Sequence, residues 1–158
     1  MQKPGQKIKI EYPELPVLLF VYGTLKRGFH NHHYLLGANF KTAATTVEKF
    51  PMVARGIPYL FNTPGEGTNI IGEIYEITDI NMLRAMDRLE GHPDWYRRSP
   101  IKVTDGTTEM EALVYFSLDQ RLMQSVKANP EMFYANVPEF TRMHAGYETS
   151  GELTARRK

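Results

Sequence analysis

A glutamate sits where the pattern calls for an apolar residue. From Asp79 to Glu90 the sequence reads as a helix: Asp79 is a competent N-cap, Gly91 stands at the usual stop position and Pro93 follows just beyond. Advancing about 100° per residue from Leu83, the side chains of Ile80, Met82, Met86 and Leu89 share one broad apolar face. Glu90 falls in the middle of that face. Asn81, Arg84 and Arg88 gather on the opposite side, and Asp87 lies at the edge between the two. An unpaired carboxylate on a buried face pays for desolvation, which raises its pKa and makes it usable as a general acid or base near neutrality. The alternative is that the last helical turn frays and leaves Glu90 in water, and the helical wheel alone does not choose between them.

A second candidate lies far upstream. Val17-Leu18-Leu19-Phe20-Val21-Tyr22 is β-branched and aromatic, too short for a helix, and stopped by Gly23, so it reads as a buried strand. Where such a strand halts at a glycine, unpaired backbone N–H groups become available to a ligand carboxylate, and the missing Cβ permits close approach.

The remaining elements must bring these two features together. Phe40 to Phe50 is rich in Thr and Val and reads as extended, and Asn69 to Ile77 ends in the alternation of a half-buried strand. Between them Pro51, Gly56, Pro58, Pro64, Gly65 and Gly67 break the chain into short strands and turns. Ile101 to Thr104 and Glu111 to Phe116 flank the turn signal Asp105-Gly106 as an antiparallel pair. A short helical turn is expected through Tyr34, Leu35 and Leu36, and a helical stretch from beyond Leu118 to about Lys127. The order gives an α+β class with a mixed or antiparallel sheet of short strands able to curl into a small β-barrel with packed helices. One domain over residues 1–158 is expected, with 1–16 as a flexible lead-in and 128–158 as a C-terminal segment without periodicity.

The string Phe20-Val21-Tyr22-Gly23-Thr24-Leu25-Lys26-Arg27-Gly28, then Gly72-Glu73-Ile74-Tyr75, Asp87 to Glu90 with Gly91, Tyr96-Arg97 and Val114-Tyr115, resembles the γ-glutamyl cyclotransferase superfamily. Within it the sequence is most similar to γ-glutamylamine cyclotransferases, over roughly Val17 to Phe116. The resemblance implies a compact mixed barrel with a pocket where the first strand ends. It also implies that the Tyr22-Gly23-Thr24-Leu25 backbone grips a γ-glutamyl head group while Glu90 faces it as the catalytic acid/base. The implied reaction cyclises the γ-glutamyl group to 5-oxoproline and frees an amine, without a cofactor. Tyr96 is where the resemblance puts a phenol near the site; the alternative is an ordinary core tyrosine with a satisfied hydroxyl. Arg97 reads as structural, pairing with an acid, and Thr24 either donates its hydroxyl to the ligand or stabilises the turn. A different class of function is a non-catalytic module that binds a γ-glutamyl group or 5-oxoproline; a third is a barrel used for protein contacts alone.

Composition narrows the field further. A net charge of +1 offers no field for nucleic acid or an anionic membrane, so the expected partner is a small molecule. With no cysteine there is no disulfide, thiolate metal site or thiol nucleophile, which fits a cytoplasmic setting. The apolar run Val17 to Val21 is far too short to span a bilayer, and the first residues lack the apolar segment of a signal peptide. His30, His32 and His33 lack spaced partner ligands, so no metal is expected. Gly65-Glu66-Gly67 lacks the third glycine of a dinucleotide loop, and no serine sits in a Gly-x-Ser-x-Gly elbow.

Overall fold

The structure, a computed structural model, describes residues 10–22, 32–55 and 57–129. Along the chain run β1 (Val17–Val21), a 3-10 turn (His32–Leu35), β2 (Asn39–Phe50), β3 (Met52–Arg55), β4 (Ile57–Leu60) and β5 (Thr68–Ile77). They are followed by α1 (Ile80–Glu90), β6 (Tyr96–Thr104), β7 (Glu109–Ser117) and α2 (Gln120–Ala128). Five strands close into a barrel in the order β1-β5-β2-β6-β7, while β3 and β4 form a separate two-stranded sheet. All barrel pairings are antiparallel except the closing one, in which Leu19 of β1 lies beside Leu113 of β7 in parallel. The expected mixed barrel is therefore what these strands form.

Strand alternation divides the core in two. Phe20, Phe50, Ile70, Ile74, Val103, Val114 and Phe116 point into the barrel. Their neighbours Leu19, Val21, Tyr75, Ile77 and Tyr115 face outward and meet Leu83 and Met86 of α1. Burying such a leucine or methionine contributes about 1.5–3 kcal/mol each, so the apolar stripe of α1 is what holds it to the barrel wall. Gly72 is required by packing: a Cβ there would lie 2.5 Å from the Phe20 ring and from the Val21 carbonyl oxygen. The strand crossing at β1 and β5 is that close.

The boundaries of α1 agree with the capping signals. Asp79 accepts a hydrogen bond from the Asn81 N–H, and Gly91 takes up the left-handed conformation at φ 68° that closes the helix. By contrast β6 begins at Tyr96, not at Ile101. Arg97 and Pro100 weaken the local strand signal, but pairing with β7 from Tyr96↔Ser117 to Thr104↔Glu109 overrides it. The helical turn expected at Tyr34 to Leu36 is the 3-10 turn, and α2 lies where the later helix is expected.

Charge, as well as apolar packing, fixes α1. Asp87, an edge residue on the wheel, is buried, and both of its oxygens are held by Arg98 of β6, Nε to Oδ1 at 2.7 Å and the second guanidinium nitrogen to Oδ2 at 3.0 Å. The Tyr115 hydroxyl donates to the same Oδ1 at 2.6 Å. The wheel sees only the helix and misses a partner supplied by a strand. Arg98 also donates to the Glu11 carbonyl, and its guanidinium lies 5.4 Å from the Tyr12 ring centroid, so part of the segment read as a lead-in packs here. Removing one member of a buried pair strands the other charge. Asp87→Ala is therefore expected to lower unfolding stability by about 3–5 kcal/mol in urea titrations, and adding Arg98→Met should recover part of that loss.

Candidate active site

Glu90 ends α1 at the point where that helix turns back toward the barrel. Its carboxyl group is largely buried, and among the described residues it has no cationic partner. Burial pushes its pKa up from the usual carboxylate range to about 7. The fraying alternative, which leaves this residue in water, does not fit that position. The left-handed Gly91 prevents a further helical turn, and the Asp94 and Trp95 N–H groups both bond to the Gly91 carbonyl at 2.8 Å, so the chain folds tightly behind the acid. A Cβ at position 91 would lie 2.7 Å from the Trp95 ring.

Two phenols share the acid's surroundings. Tyr22, just past the end of β1, is buried and donates its hydroxyl to the Tyr115 carbonyl. Tyr96, the first residue of β6, is partly buried. Both are pushed well above the ordinary tyrosine range, chiefly by burial, with the negative charge of Glu90 adding to each. They remain protonated at any physiological pH, beside a carboxyl group that is half ionised at neutrality. The end of β1, the end of α1 and the start of β6 thus meet at one edge of the barrel.

Of the residues singled out from sequence, Tyr22, Glu90 and Tyr96 come together; Gly23, Thr24 and Leu25 lie outside the described residues. So do His30, the rest of the Lys26-Arg27-Gly28 string and the C-terminal segment from residue 130 onward. Among the described residues Arg97 pairs with no acid: it is exposed and donates to the Pro93 carbonyl at 3.2 Å, while its neighbour Arg98 turns to the opposite face of β6 and holds Asp87. Strand alternation is the reason.

Sequence reasoning gave no role in the site to Tyr115, Tyr59 or Glu73, although Glu73 and Tyr115 lie in the motifs that carry the resemblance. Tyr115 links the two halves of the site, its carbonyl taking the Tyr22 proton and its hydroxyl holding Asp87. Tyr59 of β4 stacks on Tyr96 with ring centroids 6.4 Å apart and planes 16° from parallel. Glu73 is a second fully buried acid, paired across the ladder with Val21, and its Oε1 accepts from the Tyr75 hydroxyl at 3.0 Å. The missed signal for Glu73 is a charge in a strand whose other residues are nearly all apolar. On the far side of α1 a groove of about 340 Å³, lined by Tyr12, Arg84, Arg88, His92 and Trp95, does not include Glu90. No helix among the described residues is long and apolar enough to cross a membrane.

Comparison with known proteins gives a consistent result. Residues 19–135 match the family described as gamma-glutamyl cyclotransferase, AIG2-like. The chain is 38% identical over 148 residues to gamma-glutamylaminecyclotransferase C of Danio rerio, covering 85% of this chain and 88% of that protein. It is 46% identical over 93 residues to gamma-glutamylaminecyclotransferase of Rattus norvegicus, covering 54% of this chain and 62% of that one. Among solved structures, the crystal structure of an AIG2-like protein from Mus musculus superposes with a TM-score of 0.61 at 38% identity, over 66% of this chain and 79% of that chain.

Burying Glu90 has a thermodynamic signature. Its pKa is higher folded, at about 7, than the 4.5 of an unperturbed glutamate, so the folded state holds the proton more tightly and stability falls as pH rises between those values. Glu90→Gln removes that penalty. The variant is expected to match the parent near pH 4 and to exceed it by up to about 3 kcal/mol at pH 8, read as a rise in Tm that appears only on the alkaline side. A Tm difference independent of pH would contradict a buried, unpaired carboxylate.

Proposed function

The chain belongs to the gamma-glutamyl cyclotransferase, AIG2-like family, and on that premise we propose that it is a γ-glutamylamine cyclotransferase. It converts a γ-glutamyl amine to 5-oxoproline and releases the free amine. The names borne by its relatives in Danio rerio and Rattus norvegicus support that substrate class. The observation that carries the reading is Glu90: a buried carboxyl poised at about 7, beside two protonated phenols at the mouth of β1.

The chemistry follows from that arrangement. The substrate's α-amine attacks its own γ-carbonyl carbon; a new C–N bond closes the five-membered ring as the amide C–N bond to the leaving amine breaks. The attacking nitrogen must lose a proton and the departing nitrogen must gain one. Glu90, ionised, accepts the first and then donates it to the second, so one group serves both steps and no proton is gained or lost overall. Because the ring closure is intramolecular, proximity comes with the substrate, and the protein need only hold the head group and exclude water. Tyr96, close enough to Glu90 to feel its charge, lines this edge of the barrel beside the reacting group.

We assign the head group to the backbone of Tyr22, Gly23, Thr24 and Leu25, an assignment supported by the sequence pattern and by where β1 ends. Tyr22 is locked to Tyr115, so its contribution is its main chain and the shape of its ring, not a mobile hydroxyl. The reaction calls for no cofactor. A cysteine-free chain that acts on a small metabolite fits the cytoplasm.

Incubation with γ-glutamyl amines, with 5-oxoproline as the measured product, tests the reading. Glu90→Gln is expected to cut kcat about 10²–10⁴-fold without loss of folding. In the parent, kcat/KM should climb with pH through an ionisation near 7, since the carboxylate is the form that accepts the amine proton. Undiminished turnover in the variant would rule out this role for Glu90.

A further inference from the structure

Three tyrosines form a row that leads outward from the barrel. Tyr22 is buried, Tyr96 is partly buried beside Glu90, and Tyr59 lies next to Tyr96, the two rings within 16° of parallel and their centroids 6.4 Å apart. Tyr59 belongs to the β3–β4 hairpin, which shares no ladder with the barrel; its strand is secured at that end by Val53 and Phe61, with Leu122 and Met123 of α2 packed against them. If the γ-glutamyl head group occupies the end of β1, an amine that departs past Glu90 meets Tyr96 and, beside it, Tyr59.

We infer that Tyr59 is a specificity-determining residue: stacked on Tyr96, it completes an aromatic wall for the leaving amine and favours amines that carry a second positive charge. The inference rests on the cyclotransferase reading and deepens it. Phenol faces attract ammonium groups through the ring quadrupole, and an alkyl stem packs well against the same surface. Local charge points the same way. Glu90 and Asp119 both act on the Tyr96 phenol. Asp119 is exposed at the start of α2, where it caps the helix by accepting from the Leu122 N–H at 3.0 Å. Arg97, the nearest basic residue in sequence, is turned away to the Pro93 carbonyl.

Two γ-glutamyl amides of matched length provide the test, one made from 1,4-diaminobutane and one from n-pentylamine, so that a terminal ammonium replaces a methyl group. The parent is expected to use the diamine amide with roughly tenfold higher kcat/KM, in keeping with one favourable ammonium contact. Tyr59→Leu should erase most of that preference while leaving turnover of the pentylamide within a few-fold. Tyr59→Phe should keep the preference, because the ring face does the work. Asp119→Asn, which can still cap α2, should weaken the preference in part. Equal use of both amides by the parent, or a Tyr59→Leu variant that slows both alike, overturns the inference and leaves the cyclotransferase reading standing. Absence of 5-oxoproline from either amide with folded parent protein overturns both.

Discussion

One buried ion pair sets the position of everything else at this site. Asp87 and Arg98 have side chains only 4% and 6% exposed, and their two-point contact joins α1 to β6. Apolar packing by Leu83 and Met86 would hold the helix on the barrel but tolerate rotation and sliding. A bidentate carboxylate–guanidinium contact tolerates neither, because its geometry is specific. Burying two charges yields little net stability, so the gain from this pair is orientation. With Asp87 pinned, the last turn of α1 has one rotational setting, and Glu90, three residues on, points where that setting directs it.

The two acids of that last turn illustrate how environment assigns a role. Asp87 has a guanidinium and a phenol satisfying its oxygens and serves as a structural anchor. Glu90 has burial without a cation among the described residues and sits near neutrality, able to take up and release a proton. Different surroundings for two carboxyl groups one turn apart allow one helix terminus to be both an anchor and a reagent. Tyr115 ties these functions to the strand beneath, since its hydroxyl steadies Asp87 while its main-chain carbonyl fixes Tyr22.

Much of this was legible in the sequence, for identifiable reasons. β1 and α1 carry strong local signals, a β-branched run stopped by glycine and a capped helix with an apolar stripe, and both elements lie where those signals put them. Glu90 stood out because a charge interrupts that stripe. Asp87 did not, since its explanation is on β6; a one-dimensional wheel registers the face of a residue but not the strand that will meet it. The early start of β6 was hidden for the same reason, as cross-strand pairing with β7 outweighs Pro100 and two arginines. Tyr59 carries no local mark at all, and only the folded hairpin brings it against Tyr96.

The β3–β4 hairpin bears on how such a protein can change over time. The closed barrel leaves no free edge, and its ladders position β1 and, through Arg98, α1. The hairpin contributes no strand to that closure, and although Met52 and Leu60 root it in the barrel core, a residue such as Tyr59 can be exchanged without disturbing a barrel hydrogen bond. Change can therefore fall on two parts with different tolerance: a reaction centre set by the barrel, and a rim along which a lineage can drift from one amine to another. Innovation in this architecture is cheap at the rim and costly at the hub.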